Sequence, residues 1–283
     1  MTDGSGRGNG TAARIERNVK RLLKQHAGLY DAAATAHTIA RYARRRPHET
    51  DFHVFRHLEE PVVFADIGAN RGQSALSLAS VSTLKHRIVS FEANRRNERY
   101  LRLARWVLGP RFTYHLCGLG QEPATKTFFV PCQGNRRLTG EGSFNRANVL
   151  AAGRRIDGSF RIEEETFQIR RFDSFGLEPD VVKIDVQGFE LEVLIGMEEI
   201  LESVAPLLLI EANPSTDASI GSFVEQFGYG RYRREPARSR LVPAQADHRP
   251  LNWFYAAGAT ASRLPGLFEP AGRRAASFPP PAA

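Results

Sequence analysis

From residue 62 onward, short apolar runs alternate with helical spacings. Val62-Val63-Phe64-Ala65 predicts a buried strand that breaks at Asp66-Ile67-Gly68-Ala69-Asn70-Arg71-Gly72. A helix pattern follows through Leu76, Leu78 and Ala79, and then a second strand, Arg87-Ile88-Val89-Ser90-Phe91, ends at Glu92. Tyr100, Leu101, Leu103, Ala104 and Val107 predict the next helix, stopped by Gly109-Pro110. Phe112 to Cys117 reads as a third strand and Val181 to Ile184 as a fourth, ending at Asp185. The spacing of Leu191, Leu194, Ile195, Ile200 and Leu201 predicts a helix over Phe189–Leu201, and Leu207 to Ile210 is a fifth strand ending at Glu211. Two later strands, near Tyr229–Arg234 and Trp253–Ala257, add an antiparallel edge. Strands alternating with helices of about ten to fifteen residues argue for an α/β fold, a parallel sheet with helices on both faces.

Between Lys126 and Phe172 the alternation fails. Thr127-Phe128-Phe129-Val130 and Phe160 to Arg171 read as strands, and between them Gly134 to Arg155 is rich in Gly, Asn and Arg. A loop of that length inside a domain is usually functional or disordered. Before the core, Ile15, Val19, Leu22 and Leu23 follow the spacing of a short amphipathic helix. A second, Ala-rich helix is predicted over Ala32–Arg45, stopping before Pro47. These two helices either cap the domain or form a surface for a second copy of the chain. The organisation expected is therefore a basic helical extension over 1–58 (with 1–12 disordered), a domain over 59–258, and a disordered Ala/Pro-rich tail over 259–283.

Charge modifies this picture only at one end. The chain has 283 residues and a net charge of +8, but residues 1–58 hold eleven Lys or Arg against five Asp or Glu, and the remainder holds 28 against 26. A basic arm attracts phosphates or acidic surfaces, whereas the near-neutral domain speaks against a nucleic-acid module, and no RNA-binding motif is present. Cys117 and Cys132 are the only cysteines and form no CxxC pair. With a polar Gly-rich start and no apolar run near the ~20 residues of a membrane span, the expectation is a cytoplasmic protein.

Three acidic strand ends carry the chemistry. Ligands of open α/β sheets bind beyond the carboxyl ends of the strands. Asp66-x-Gly68-x-Asn70-x-Gly72 lies at such an end, and its glycines permit a sharp turn and close approach of a ligand. The dinucleotide fingerprint G-x-G-x-x-G is not matched, since Asn70 and Gln73 stand where its second and third glycines belong. An acidic residue at the strand end suits a cationic ligand such as S-adenosylmethionine better than a phosphate. Glu92, 26 residues after Asp66, can accept hydrogen bonds from ribose hydroxyls. Asp185 faces the same crevice, either to orient or deprotonate an acceptor hydroxyl or as a helix cap.

These residues resemble the FkbM family of S-adenosylmethionine-dependent methyltransferases. The resemblance rests on Asp66 to Gly72, Phe91-Glu92-Ala93-Asn94, Lys183 to Glu190 with Val193-Leu194-Ile195-Gly196-Met197, and Pro206 to Glu211, within roughly 60–257. It implies the class I methyltransferase (Rossmann-like) fold, with a mostly parallel seven-stranded sheet, and O-methylation of sugar or polyketide-type hydroxyls of natural products and glycans. By position, Asp66, Gly68, Asn70 and Gly72 resemble the methionine-binding loop and Glu92 the ribose acceptor. Cys117 and Gly118 fall where related enzymes contact adenine, and Asp185 lies near the methionine end and the acceptor. Gln187 stands where many members have Glu, so that carboxylate is absent here.

Asp185, Glu211 and Asn213 are candidate oxygen ligands for Mg²⁺, although backbone or substrate contacts are the favoured reading for the latter two. His248 is a candidate general base beside Asp185, and His115 is a weaker one. The Gly134–Arg155 stretch, with Asn135, Arg136, Arg137, Glu141 and Asn145, is expected to be the acceptor lid, suited to a polyhydroxylated or anionic acceptor. The alternatives are an NAD(P)-dependent oxidoreductase and a basic RNA-binding or RNA-methylating protein.

Overall fold

A computed structural model of the chain describes residues 27–270, apart from 135, 139–141, 145, 155–158, 246–247 and 249. The helix predicted at Ile15–Leu23 and the terminal segments 1–12 and 271–283 lie outside the described residues. The chain enters through α1 (Ala27–Ala43) and a 3-10 turn, Thr50–His57, before β1 (Val63–Ile67). Then come α2 (Gln73–Val81), β2 (Arg87–Phe91), α3 (Glu98–Leu108), β3 (Phe112–His115) and β4 (Gly118–Leu119). A long excursion holds β5 (Ala124–Gln133), β6 (Arg136–Arg137), α4 (Arg146–Gly153) and β7 (Arg161–Arg170). The core resumes with β8 (Val181–Ile184), α5 (Glu190–Ile195), α6 (Glu198–Ser203), β9 (Leu207–Glu211) and α7 (Asp217–Glu225). It closes with β10 (Gly230–Arg234), β11 (Leu241–Pro243), β12 (Asn252–Ala256) and α8 (Gly258–Arg263).

The main sheet runs in the order β11-β10-β12-β9-β8-β1-β2-β3. From β9 to β3 all neighbours are parallel, whereas β12, β10 and β11 pair antiparallel. This is the mostly parallel, helix-flanked α/β architecture expected, with eight strands in place of seven. The added strand is β11, a three-residue edge that pairs with β10. The excursion folds as a second sheet, ordered β4-β7-β5-β6, in which β5 and β7 pair from Ala124↔Ile169 to Cys132↔Arg161.

Strand alternation divides the core. Phe64, Ile88, Val181 and Leu209 face one layer, with Phe52, Phe55 and Leu101. Ile67, Phe91, Val182 and Ile210 face the other, with Phe172, Leu194 and Met197. Asp66, Ser90 and Lys183 are in register across β1, β2 and β8, so all three side chains fall on the first face. Phe52, Val54 and Phe55 are fully buried, so 50–57 belongs to the core rather than to an appended extension. Likewise, Thr260 is buried and donates its hydroxyl to the Ala205 carbonyl at 2.7 Å, so the chain stays folded past the expected start of the tail at 259.

One predicted helix is broken. The span Phe189–Leu201 divides into α5 and α6 at Gly196-Met197. A Cβ at Gly196 would stand 2.1 Å from the Gly120 carbonyl oxygen, so close passage of the Gly120 loop fixes the break. Among the described residues no helix is long and apolar enough to cross a membrane.

Candidate functional site

The turn leaving β1 is built for proximity. Gly68 takes φ +81° and Asn70 takes φ +49°, in the left-handed region that glycine and asparagine tolerate best. The Gly68 and Ala69 amides both donate to the Phe91 carbonyl at 3.0 Å, which ties the turn to the end of β2. Just beyond that end, Glu92 accepts from the Asn70 amide at 2.6 Å and the Asn94 amide at 2.8 Å. Burial nevertheless pushes the Glu92 carboxyl above its ordinary range, against the pull of those amides.

These strand ends border a cavity of about 190 Å³. Gly68, Asn70, Glu92, Cys117, Gly118 and Asp185 all line it, from the ends of β1, β2, β3 and β8. At Gly118 an added Cβ would meet Ile169 Cδ1 at 2.6 Å, so the missing side chain shapes the floor. Among the described residues the only charged groups in the lining are Glu92 and Asp185.

Asp66 and Gly72 are placed elsewhere. Asp66 is fully buried on the other face of β1, where one oxygen accepts from the Ser90 hydroxyl at 3.0 Å and the other has no hydrogen-bond partner among the described residues. Burial pushes its carboxyl up, and the nearby Lys183 ammonium pulls it back only in part. Gly72 starts α2, with a Cβ position 3.0 Å from Ala104, and serves helix packing rather than the cavity.

After β8 the chain holds Asp185 from two sides. Buried Lys183 donates to one Asp185 oxygen at 3.1 Å, and the Gln187 amide donates to the other at 3.0 Å. The same Gln187 nitrogen donates to Glu211 at 3.1 Å, bridging two carboxylates. Gln187 sits at φ +57° and Gly188 at φ +93°, and the turn they form is closed by Glu190, which accepts from the Val186 and Gly188 amides at 3.3 and 2.9 Å. Burial would raise the Asp185 pKa, but the Lys183 ammonium and the Gln187 hydrogen bond hold it below the ordinary value. Glu211 is pushed up to about 8, first by burial and then by the Asp185 charge.

A raised carboxyl pKa means that the folded state binds the extra proton. Glu211 therefore makes stability fall as pH rises from about 4.5 to about 8. Glu211→Gln is expected to flatten that limb and to stabilise the protein at pH 8 by roughly 1–3 kcal/mol after solvent screening. Urea unfolding at pH 5 and pH 8 checks this; an equal wild-type midpoint at both would contradict it.

Of the metal candidates, Asp185 and Glu211 meet at Gln187, whereas Asn213 is held apart from them. Asn213 gives its side-chain oxygen to the Ser215 amide and hydroxyl, at 3.1 and 2.7 Å, and its own amide to Asp217. Between Asp185 and Glu211 stands an amide donor rather than a further oxygen. Among the described residues no group of three His, Cys, Asp or Glu is placed to hold a metal ion. His248 folds back on Gln245, whose amide donates to its Nδ1 at 3.2 Å, and does not line the cavity. His115 stacks on Phe91 at 5.1 Å.

In the expected lid, Asn135, Glu141 and Asn145 lie outside the described residues, and the Arg136 side chain is not described. Arg137 pairs with Glu163 and Glu165 at 3.2 and 2.6 Å rather than facing the cavity. What this stretch contributes to the lining is Phe144. Lys183, Glu190 and Phe144 were not singled out by sequence reasoning. A charge inside an apolar strand was the available signal for Lys183.

The sequence profile of the methyltransferase FkbM domain matches residues 66–230, more than half of the chain. The AMB antimetabolite synthetase AmbE of Pseudomonas aeruginosa is 26% identical over 188 residues, which is 57% of this chain and 9% of AmbE. Among solved structures, methyltransferase FkbM from Methylobacillus flagellatus KT aligns with TM-score 0.45 and 18% identity over 71% of this chain and 47% of that one. Precorrin-6Y C5,15-methyltransferase from Geobacter metallireducens aligns with TM-score 0.37 and 13% identity over 71% and 82% of the two chains. The chain thus spans less than half of the FkbM structure and a small part of AmbE.

Proposed function

The chain belongs to the FkbM methyltransferase family, and from that premise we propose that it is a methyltransferase that uses S-adenosylmethionine to methylate a hydroxyl of a small molecule, of sugar or polyketide type. One observation carries the choice of donor: among the described residues the cavity at the strand ends is charged by two carboxylates, Glu92 and Asp185, with no Lys, Arg or His in its lining. Such a site favours a ligand with cationic ammonium and sulfonium centres and disfavours the pyrophosphate of a dinucleotide, which needs donors and positive potential.

The fit is specific in its parts. Each Glu92 oxygen accepts one backbone amide, the Asn97 side chain adds a further hydrogen bond, and the carboxylate has acceptor capacity left for a ribose hydroxyl. The floor left open at Gly118 suits a flat base. Asp185 offers a carboxylate to an ammonium group or to the acceptor hydroxyl. When bound, the donor supplies a sulfonium methyl: its S–CH₃ bond breaks as the O–CH₃ bond forms, and sulfur keeps the electron pair. Asp185 orients the acceptor hydroxyl and takes its proton as the O–CH₃ bond forms. Alignment of this kind contributes up to about 7–11 kcal/mol of barrier lowering in favourable systems.

Calorimetry with S-adenosylhomocysteine tests the donor. Wild-type protein is expected to bind it and not NADH. Glu92→Gln is expected to weaken binding by about 10–150-fold, the worth of about 1.5–3 kcal/mol for a hydrogen bond to a charged group. Affinity within twofold of wild type, or binding of NADH instead, would overturn the assignment.

A further inference from the structure

The cavity has a second wall that the donor reading leaves without a role. Phe128 of β5, Phe167 of β7, Phe144 from the linking segment and Phe189 after the β8 turn all line it. Their rings form one continuous set, with centroids 4.9 Å apart for Phe128–Phe144, 5.5 Å for Phe128–Phe167 and 4.7 Å for Phe144–Phe189. The local structure is arranged to hold them. In β5 and β7 the register sets Lys126 opposite Phe167 and Phe128 opposite Glu165, so both rings share one face of the hairpin. A Cβ at Gly142 would lie 2.5 Å from the Phe128 ring, so only glycine lets that backbone cross the ring. Phe167 is buried, but Phe128, Phe144 and Phe189 remain part-exposed. A concave apolar face left open beside a few polar groups is the common composition of a small-molecule site.

We propose that the acceptor carries its hydroxyl on an apolar ring, aromatic or alicyclic, packed against Phe128, Phe144, Phe167 and Phe189 with the hydroxyl toward Asp185. This rests on the methyl-transfer reading above and narrows its acceptor class. A ring buries apolar surface against the wall and has one hydroxyl for the polar end of the cavity, beside Phe189. A free polyhydroxylated sugar would set several hydroxyls against carbon, each losing its water without a partner. The wall selects by shape as well, since aromatic faces favour offset or edge contacts with a flat ring.

The test is calorimetric and uses 2-naphthol and methyl glucoside as probes, each with and without saturating S-adenosylhomocysteine. Wild-type protein is expected to bind 2-naphthol and to show no heat with methyl glucoside at equal concentration. Phe144→Ala and Phe128→Ala are expected to weaken 2-naphthol at least about fivefold, and Phe144→Leu by no more than about twofold. S-adenosylhomocysteine affinity is expected within twofold of wild type in all three, which also shows that they fold. Tighter binding of the glucoside, unchanged 2-naphthol affinity in both alanine variants, or S-adenosylhomocysteine affinity lost in step with it would overturn the proposal. Uptake of 2-naphthol by wild type that fails to bind S-adenosylhomocysteine would overturn the donor assignment and leave the ring seat standing.

Discussion

Gly68→Ala is expected to abolish binding of S-adenosylhomocysteine and to destabilise the fold by more than about 4 kcal/mol, the range reserved for mutations with a severe local cause. Two causes act together here. Gly68 adopts φ +81°, where a side chain is strained, and a Cβ there would stand 1.9 Å from the Asp185 carbonyl oxygen and 2.8 Å from its carbon. The obstacle is backbone and has no rotamer to change. Neither strand end can retreat, because the Asp185 amide donates to the Ile67 carbonyl at 3.0 Å and the Gly68 amide to the Phe91 carbonyl at 3.0 Å. Relief requires breaking the junction of β1, β2 and β8 that borders the cavity. Gly188 supplies the control. Its φ is +93° but nothing lies within 4 Å of its Cβ position. Gly188→Ala should therefore cost only the conformational penalty, about 1–2 kcal/mol. Denaturant midpoints of the two variants separate steric from conformational cost. A Gly68→Ala protein within about 1 kcal/mol of wild type would refute the close-packed junction.

What was legible in the sequence was local. Buried parallel strands read as apolar runs, so Val62–Ala65, Leu207–Ile210 and, despite the charge at Lys183, Val181–Ile184 identified β1, β9 and β8. A residue just past a strand lies at the sheet edge whatever its neighbours do, which is why Gly68, Glu92 and Asp185 could be placed in one crevice. Asp66 is the instructive exception. It belongs to the same motif, but it is still within β1, and the two-residue period turns it away from the cavity toward Ser90 and Lys183. The aromatic wall was not legible, because its members come from positions 128, 144, 167 and 189 and meet only through the second sheet. Asn213 sits at a strand end like the others, yet its short side chain is captured by the following Ser215 turn. No sequence spacing distinguishes that outcome from an outward-facing ligand.

Lys183→Met is expected to lower stability by about 3–5 kcal/mol near neutral pH, the cost of stranding buried charges without their partner. Methionine keeps most of the side-chain volume, so the effect isolates the ammonium. Lys183 is buried, bonds Asp185 at 3.1 Å, stands in register with Asp66, and attracts Glu49 at the start of the 3-10 turn. In the wild type, burial works against the Asp185 charge, but the ammonium prevails and its pKa is lowered. That contribution is present above the ordinary carboxyl pKa and lost as pH falls through the lowered one. Removing the ammonium reverses the sign. Burial then dominates Asp185 as it already dominates Asp66, both pKa values rise above the unfolded value, and the folded state binds more protons than the unfolded chain. The variant therefore gains stability as pH falls from 7 toward about 4 from both carboxyls, whereas the wild type gains only from Asp66, where Lys183 already offsets part of the rise, so the deficit narrows on acidification. Adding Asp66→Asn to Lys183→Met should recover part of the loss at pH 7 and little at pH 4, because the double variant has one fewer buried charge to neutralise. Urea titrations of the wild type and the two variants from pH 4 to pH 8 measure each limb. A deficit of constant size across that range would mean that Lys183 contributes packing alone, and that Asp185 is held by Gln187 rather than by charge.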